Sequence, residues 1–98
     1  MKMLLSDLYI DKKTRLVKRA GKVIQLSHKE FDLLVCLIQN KGKVVSRQDI
    51  LKQVWQYSEE IGSRVADVYV GYLRKKIDVK GRKKLIQSIR GFGYSIKK

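Results

Sequence analysis

The chain contains no proline, and it has one cysteine (Cys36) and one histidine (His28) among its 98 residues. A single thiol cannot build an internal disulfide framework, which favours a reducing compartment. One histidine with no cysteine or second histidine beside it cannot complete a metal site. The sequence also lacks a glycine-rich phosphate loop and a nucleophile with a paired base. These absences argue against an enzyme and predict no cofactor and no metal.

Long hydrophobic runs are absent as well. No apolar stretch approaches the roughly 18 residues needed to span a bilayer. The short apolar start of the chain is followed at once by Asp7, which argues against a signal peptide. We therefore expect a cytoplasmic protein without membrane contact. The length, with 44% hydrophobic residues, predicts a single domain over residues 1–98 with a small core.

Acidic residues are scarce, with nine against 23 basic residues and a net charge of +14. A soluble domain this basic usually meets a polyanion, either nucleic acid or an anionic membrane, although some basic domains are merely soluble. The charge is uneven: residues 1–26 carry a net +5, residues 27–62 are neutral, and residues 63–98 carry eleven basic and two acidic groups. This gradient indicates one working face rather than uniform solubilisation.

The first 26 residues predict short strands. Apolar segments such as Leu8–Ile10 and Leu16–Val17 alternate with polar turn material, and residues 19–22 form a plausible tight hairpin turn in which Gly21 takes a positive φ. We expect an antiparallel sheet of about four strands. Because such short strands are not stable alone, the sheet must pack against another part of the chain.

The first helix is predicted to begin at Ser27, which forms a capping box with Glu30. Its apolar residues recur at helical spacing and cover nearly the whole circumference, so this helix should be central and buried, with Cys36 as a small apolar core residue. Gly42 suits a left-handed C-terminal cap.

The second helix is predicted from a cap at Ser46 to about Trp55, followed by a loop over residues 56–62. The third runs from after Ser63 to about Ile77 and turns one apolar stripe toward the core. Residues 85–96 then alternate as a strand, turn at glycines and return. This order predicts an α+β fold with an N-terminal antiparallel four-stranded sheet, three helices and a C-terminal β-hairpin, which is the winged helix-turn-helix pattern.

The face of the third helix opposite its apolar stripe has no acid at its centre, so it could enter a DNA major groove. The start of the second helix offers Lys43, Ser46 and Arg47 to phosphates. In the hairpin, Arg90 could insert into the adjacent minor groove, and Ser88 could reach a phosphate or a base edge. The candidate residues on the third helix are Arg64, Val65, Val68, Tyr69, Gly71, Tyr72, Arg74 and Lys75.

Several motifs in order resemble the effector domain of OmpR/PhoB-type response regulators. They are Leu26-Ser27-His28-Lys29-Glu30-Phe31-Asp32-Leu33-Leu34, Val45-Ser46-Arg47-Gln48-Asp49-Ile50-Leu51, Val54-Trp55, Arg64-Val65-Ala66-Asp67-Val68, Leu73-Arg74-Lys75-Lys76-Ile77 and Ile89-Arg90-Gly91-Phe92-Gly93-Tyr94. The resemblance covers essentially the whole chain. Two departures limit what can be transferred: Gln56 stands where the family usually has glycine after Trp55, and Tyr69, Gly71 and Tyr72 stand where relatives often carry histidine or arginine.

The resemblance implies that two copies bind direct DNA repeats, with the third helix in the major groove and the wing in the minor groove. It places Trp55 near the DNA backbone, although a tryptophan in this position is more often core than part of a site. It also implies an RNA polymerase contact through residues 56–62 and an N-terminal receiver domain, absent from this chain, that a histidine kinase phosphorylates. Three alternatives stay open: an RNA-binding basic domain, a winged helix used for protein contacts only, and a membrane-tethered activator with the same DNA-binding domain.

Overall fold

The N-terminal sheet has four antiparallel strands in chain order, as the sequence predicted. They are β1 (Lys2–Leu5), β2 (Leu8–Asp11), β3 (Leu16–Arg19) and β4 (Lys22–Val23). The β3–β4 turn places both central residues at positive φ, 52° at Ala20 and 81° at Gly21. This is the type I′ geometry that matches the right-handed twist of paired strands.

The computed structural model describes residues 2–56, 64–79, 81 and 83–97. The loop predicted at residues 56–62 lies outside these ranges, apart from Gln56. None of the described helices is both long and apolar enough to cross a membrane.

Three helices form the centre of the fold: α1 (His28–Gln39), α2 (Arg47–Trp55) and α3 (Arg64–Ile77). The capping box at the start of α1 is confirmed, because the Ser27 hydroxyl accepts the Glu30 amide at 3.2 Å and Glu30 Oε1 accepts the Ser27 amide at 2.8 Å. Most of α1 is buried, and it packs against both other helices and the C-terminal sheet. The prediction of a central buried helix is therefore confirmed, and Cys36 is in the core.

The predicted cap at Gly42 is wrong in position. The α1 helix ends at Gln39 with Asn40 as its C-cap, and Asn40 has φ −110°. The Asn40 side chain donates to the Cys36 carbonyl at 2.8 Å, which satisfies a carbonyl of the last turn. Gly42 does have a left-handed φ of 81°, but it turns the chain toward the C-terminal sheet, where its amide donates to Ile96 at 3.0 Å.

The C-terminal hairpin consists of β6 (Ile86–Ile89) and β7 (Gly93–Ile96), as predicted. It gains a third strand that the sequence did not suggest, β5 (Val45–Ser46), which pairs with β7 directly before α2 begins. The start of α2 is thereby fixed beside the hairpin.

Candidate nucleic-acid interface

The α3 helix has one buried and one open face. Its apolar stripe is fully covered and consists of Ala66, Val70, Leu73 and Ile77. On the other face Arg64, Val68, Tyr72 and Lys75 are exposed, while Val65, Tyr69, Gly71 and Arg74 are partly exposed. All eight candidates on this helix are thus accessible. A helix held by one stripe, with its remaining surface free, has the shape required to enter a groove.

Gly71 is one of these accessible positions. Outside the adjoining backbone, a Cβ added there would meet nothing within 4 Å among the described residues. Its backbone conformation is ordinary helix, so the fold does not demand glycine at this position. Glycine in a helix interior costs about 1 kcal/mol relative to alanine, and nothing within the described chain offsets that cost.

A row of aromatic rings runs from α2 onto α3. The Trp55 and Tyr69 rings meet edge to face with centroids 5.0 Å apart, and Tyr69 meets Tyr72 in the same way at 5.5 Å. Trp55 is partly exposed, and its indole N–H has no hydrogen-bond partner among the described residues. The Trp55 ring therefore supports α3 while its polar edge stays available.

The start of α2 lies beside this helix. The Ser46 hydroxyl accepts the Asp49 amide at 3.1 Å, which confirms the predicted cap and leaves the hydroxyl proton free to donate. Arg47 follows at the first helical position and is partly exposed, and Lys43 is exposed. Free amides, a hydroxyl and two cations are the usual groups of an anion-binding helix start.

The hairpin presents its own exposed groups. Arg90 and Ser88 are both exposed, as expected. Phe92, between two glycines at the turn, is 70% exposed. In the sequence Phe92 looks like turn material only, yet an aromatic ring at a hairpin tip has no core to enter. A cleft between the end of α3 and β6 is lined by Arg74, Lys75, Asp78, Lys84 and Ile86, and Lys84 was also missed.

One acid joins the three elements. Asp67, at the side of the open face of α3, accepts from Arg47 Nε at 2.8 Å, and the same oxygen accepts the hydroxyl of Tyr94 on β7. Burial alone would raise the pKa of Asp67, but the hydrogen bonds from Tyr94 and Arg47 outweigh it and lower the pKa. Tyr94 is buried, and burial followed by the bond to Asp67 raises the pKa of its hydroxyl.

The structure thus brings the predicted residues of α2 and α3 together and ties β7 to them. Within the described ranges, no group of three His, Cys, Asp or Glu side chains could hold a metal ion. The arrangement can bind a polyanion through cations and free amides, and it can read the edges of a ligand with the side chains of α3.

Comparison with known proteins agrees with this arrangement. Residues 21–96 match the family model described as "Transcriptional regulatory protein, C terminal". The chain is 44% identical over 91 residues to the uncharacterized transcriptional regulatory protein YkoG of Bacillus subtilis, an alignment covering 93% of this chain and 40% of that protein.

Two solved structures have nearly the same fold. The response regulator DrrB of Thermotoga maritima, an OmpR/PhoB homolog, matches with a TM-score of 0.86 and 36% identity over 99% of this chain and 44% of that one. The RstA DNA-binding domain of Klebsiella pneumoniae, solved in complex with the RstA box, matches with a TM-score of 0.86 and 28% identity over 98% of this chain and 96% of that one. The chain spans about 40% of the length of the curated relatives that it matches.

Proposed function

This chain belongs to the family of C-terminal domains of transcriptional regulatory proteins, and from that membership we propose that it binds double-stranded DNA in a sequence-specific manner. In this proposal, α3 lies in the major groove, the hairpin enters the adjacent minor groove and the start of α2 contacts phosphates. The observation that carries the proposal is the open face of α3, which is accessible and basic and adjoins the cations at the start of α2.

The roles of individual residues follow from their position. Arg64, Lys75 and Arg74 supply charge along the groove, and Val65, Val68, Tyr69 and Tyr72 face base edges and thymine methyl groups. Lys43, Ser46, Arg47 and the Trp55 indole N–H contact phosphates, and Arg90 with Ser88 contacts the minor groove or its backbone. Gly71 permits close approach of the α3 backbone to the duplex. These contacts are proposed from accessibility and chemistry.

The remainder of the protein is proposed from the family. The chain would be one domain over residues 1–98, acting in the cytoplasm as the non-enzymatic output domain of a two-component response regulator. A receiver domain phosphorylated by a histidine kinase would control it. Two copies would occupy direct repeats, and residues 56–62 would contact RNA polymerase.

The test is selection from random duplex DNA, with sequencing of the bound fraction at two salt concentrations. A recovered motif repeated at about one helical turn supports the proposal. Tight, strongly salt-dependent binding without any motif would leave only a cationic surface, and the RNA-binding and protein-contact alternatives would then explain the domain better.

Variants separate the two kinds of contact. Arg90→Ala should weaken binding to every sequence and reduce the slope of log K against log salt by about one. Replacing Tyr72 or Val65 should instead change which sequence is preferred. Uniform loss of affinity in both kinds of variant would refute this division.

Gly71→Ala should stabilise the free domain by about 1 kcal/mol while weakening DNA binding. Unchanged binding would contradict the proposed role of Gly71.

A further inference from the structure

Asp67 is the one acidic residue of α3, and it lies beside a surface that is otherwise basic. An uncommitted carboxylate at this position would oppose the approach of any polyanion, because like charges repel across an interface. The Asp67 carboxylate, however, accepts hydrogen bonds from two neighbours. It joins Arg47 on α2 to Tyr94 on β7 through a single carboxylate oxygen.

The bond to Asp67 uses only part of the Arg47 side chain. Nε donates to the carboxylate, while the Arg47 side chain stays 42% exposed. The guanidinium is therefore oriented by one edge while its other edge stays open. An arginine fixed in this way loses less side-chain entropy when it binds an anion than a freely rotating one.

Tyr94 contacts both Asp67 and the neighbouring arginines. Its ring is buried, and the guanidinium groups of Arg47 and Arg74 lie 6.0 and 5.7 Å from its centroid. One tyrosine thus contacts two cations of the proposed interface through its ring and the acid of α3 through its hydroxyl. The hairpin strand, the start of α2 and α3 meet at this group of residues.

We propose that Asp67 is a specificity-determining positioning residue, which holds Arg47 toward a phosphate and fixes β7 against α3. This inference rests on the proposed DNA-binding function. The charge of Asp67 weakens attraction to any duplex. Its two hydrogen bonds, however, fix the position of the Arg47 phosphate contact relative to α3. Asp67 therefore raises the ratio of specific to non-specific affinity.

The test compares Asp67→Asn with Asp49→Asn on a selected duplex and on mixed-sequence duplex. Asp49 is an exposed acid of α2 whose carboxylate accepts no hydrogen bond from a described residue, so Asp49→Asn removes one negative charge without breaking a side-chain hydrogen bond. Asp49→Asn should strengthen binding to both duplexes and leave their ratio unchanged. Asp67→Asn should lower the ratio roughly tenfold, because a misplaced α3 should lose discrimination equivalent to about one base pair of the site.

The salt dependence gives a readout that a change in stability would not produce. If the Arg47 contact with a phosphate is lost, the slope of log K against log salt on the selected duplex should fall by about one in Asp67→Asn. Tyr94→Phe, which removes the hydroxyl without changing charge, should lower the specificity ratio without raising non-specific affinity. This second variant also covers the case in which Asp67→Asn does not fold, as judged by circular dichroism.

The outcomes separate the two proposals. Wild-type protein with no preference for any duplex would refute the proposed function, and this inference with it. This inference alone would be overturned if wild type clearly prefers the selected duplex and Asp67→Asn has the same affinity ratio and the same slope of log K against log salt as Asp49→Asn.

Discussion

Replacing Arg19 with methionine should remove a large part of the stability of the domain, because Arg19 is a buried cation that joins distant parts of the chain. Its side chain is 2% exposed. Nε donates to Asp7 at 2.6 Å, Nη1 donates to the Ile77 carbonyl at 2.6 Å and lies 3.4 Å from Asp78, and Nη2 donates to the Lys83 carbonyl. One guanidinium therefore holds β3, the end of α3 and the segment that leads into the hairpin.

The magnitude follows from what the substitution leaves behind. Methionine fills a volume similar to that of arginine, so the loss is mainly electrostatic. The Asp78 side chain is only 5% exposed and would lose its buried cation, although it keeps the hydrogen bonds from the amides of Leu85 and Ile86 at 2.8 and 3.1 Å. Breaking a buried ion pair from one side costs about 3–5 kcal/mol. A domain of this size is stable by about 5–15 kcal/mol in total.

Urea denaturation followed by circular dichroism measures the effect. With a typical dependence on urea, Arg19→Met should lower the midpoint by roughly 2 M. Arg15→Met is the matched control, because Arg15 is 41% exposed and pairs with Asp32 at 3.0 Å. An exposed pair of this kind is worth up to about 1 kcal/mol. If Arg19→Met cost no more than Arg15→Met, the reasoning about the buried cation would be refuted.

Three further predictions concern stability. Gln56 is the C-cap of α2 with a left-handed φ of 54°, so Gln56→Gly should raise stability by about 1 kcal/mol, and an unchanged melting temperature would contradict this. A Cβ at Gly93 would lie 2.0 Å from the Val45 carbonyl oxygen, so Gly93→Ala should disrupt the β5–β7 pair. Beyond its chain neighbours, a Cβ at Gly91 would meet no atom of the described residues within 4 Å, so Gly91→Ala should cost only about 1 kcal/mol for its positive φ. Equal losses of stability in the two alanine variants would refute the clash at Gly93. Burial, with a smaller effect from the charge of Asp49, raises the pKa of Cys36 to about 11. As the pH rises, the Cys36 thiol of the unfolded chain ionises before that of the folded chain, which favours unfolding. The stability of wild type relative to Cys36→Ala should therefore fall between about pH 9 and about pH 11. A difference that stays constant over this range would refute the prediction.

The elements that the sequence predicted well depend on interactions between near neighbours. The caps at Ser27 and Ser46 each need a partner three residues away, so the spacing of residues is sufficient evidence. The same holds for the turn at Ala20 and Gly21, where local backbone preference determines the geometry. The accessible face of α3 follows from helical periodicity once its apolar stripe is known.

The features that the sequence did not predict depend on distant contacts. Strand β5 has only two residues and exists because β7 lies beside it. Arg19 looked like part of a solvated turn, because its partners near residues 77–83 are some 60 positions away along the chain. Tyr94 resembled ordinary core because no local pattern indicates that a tyrosine hydroxyl will meet Asp67. Pairings of this range are determined by the tertiary fold.

Two of these distant contacts lie at opposite ends of α3. Asp67 and Asp78 are eleven positions apart, which corresponds to about 16 Å along a helix. The apolar stripe between them is held by a non-directional force, so it does not by itself specify which polar groups meet at the two ends. Charged hydrogen bonds are directional, and here they fix both ends. The same two acids also bind the hairpin, through the Tyr94 hydroxyl at one end and the amides of Leu85 and Ile86 at the other. Helix and hairpin are therefore oriented together before any ligand arrives, which avoids the entropic cost of ordering them during binding.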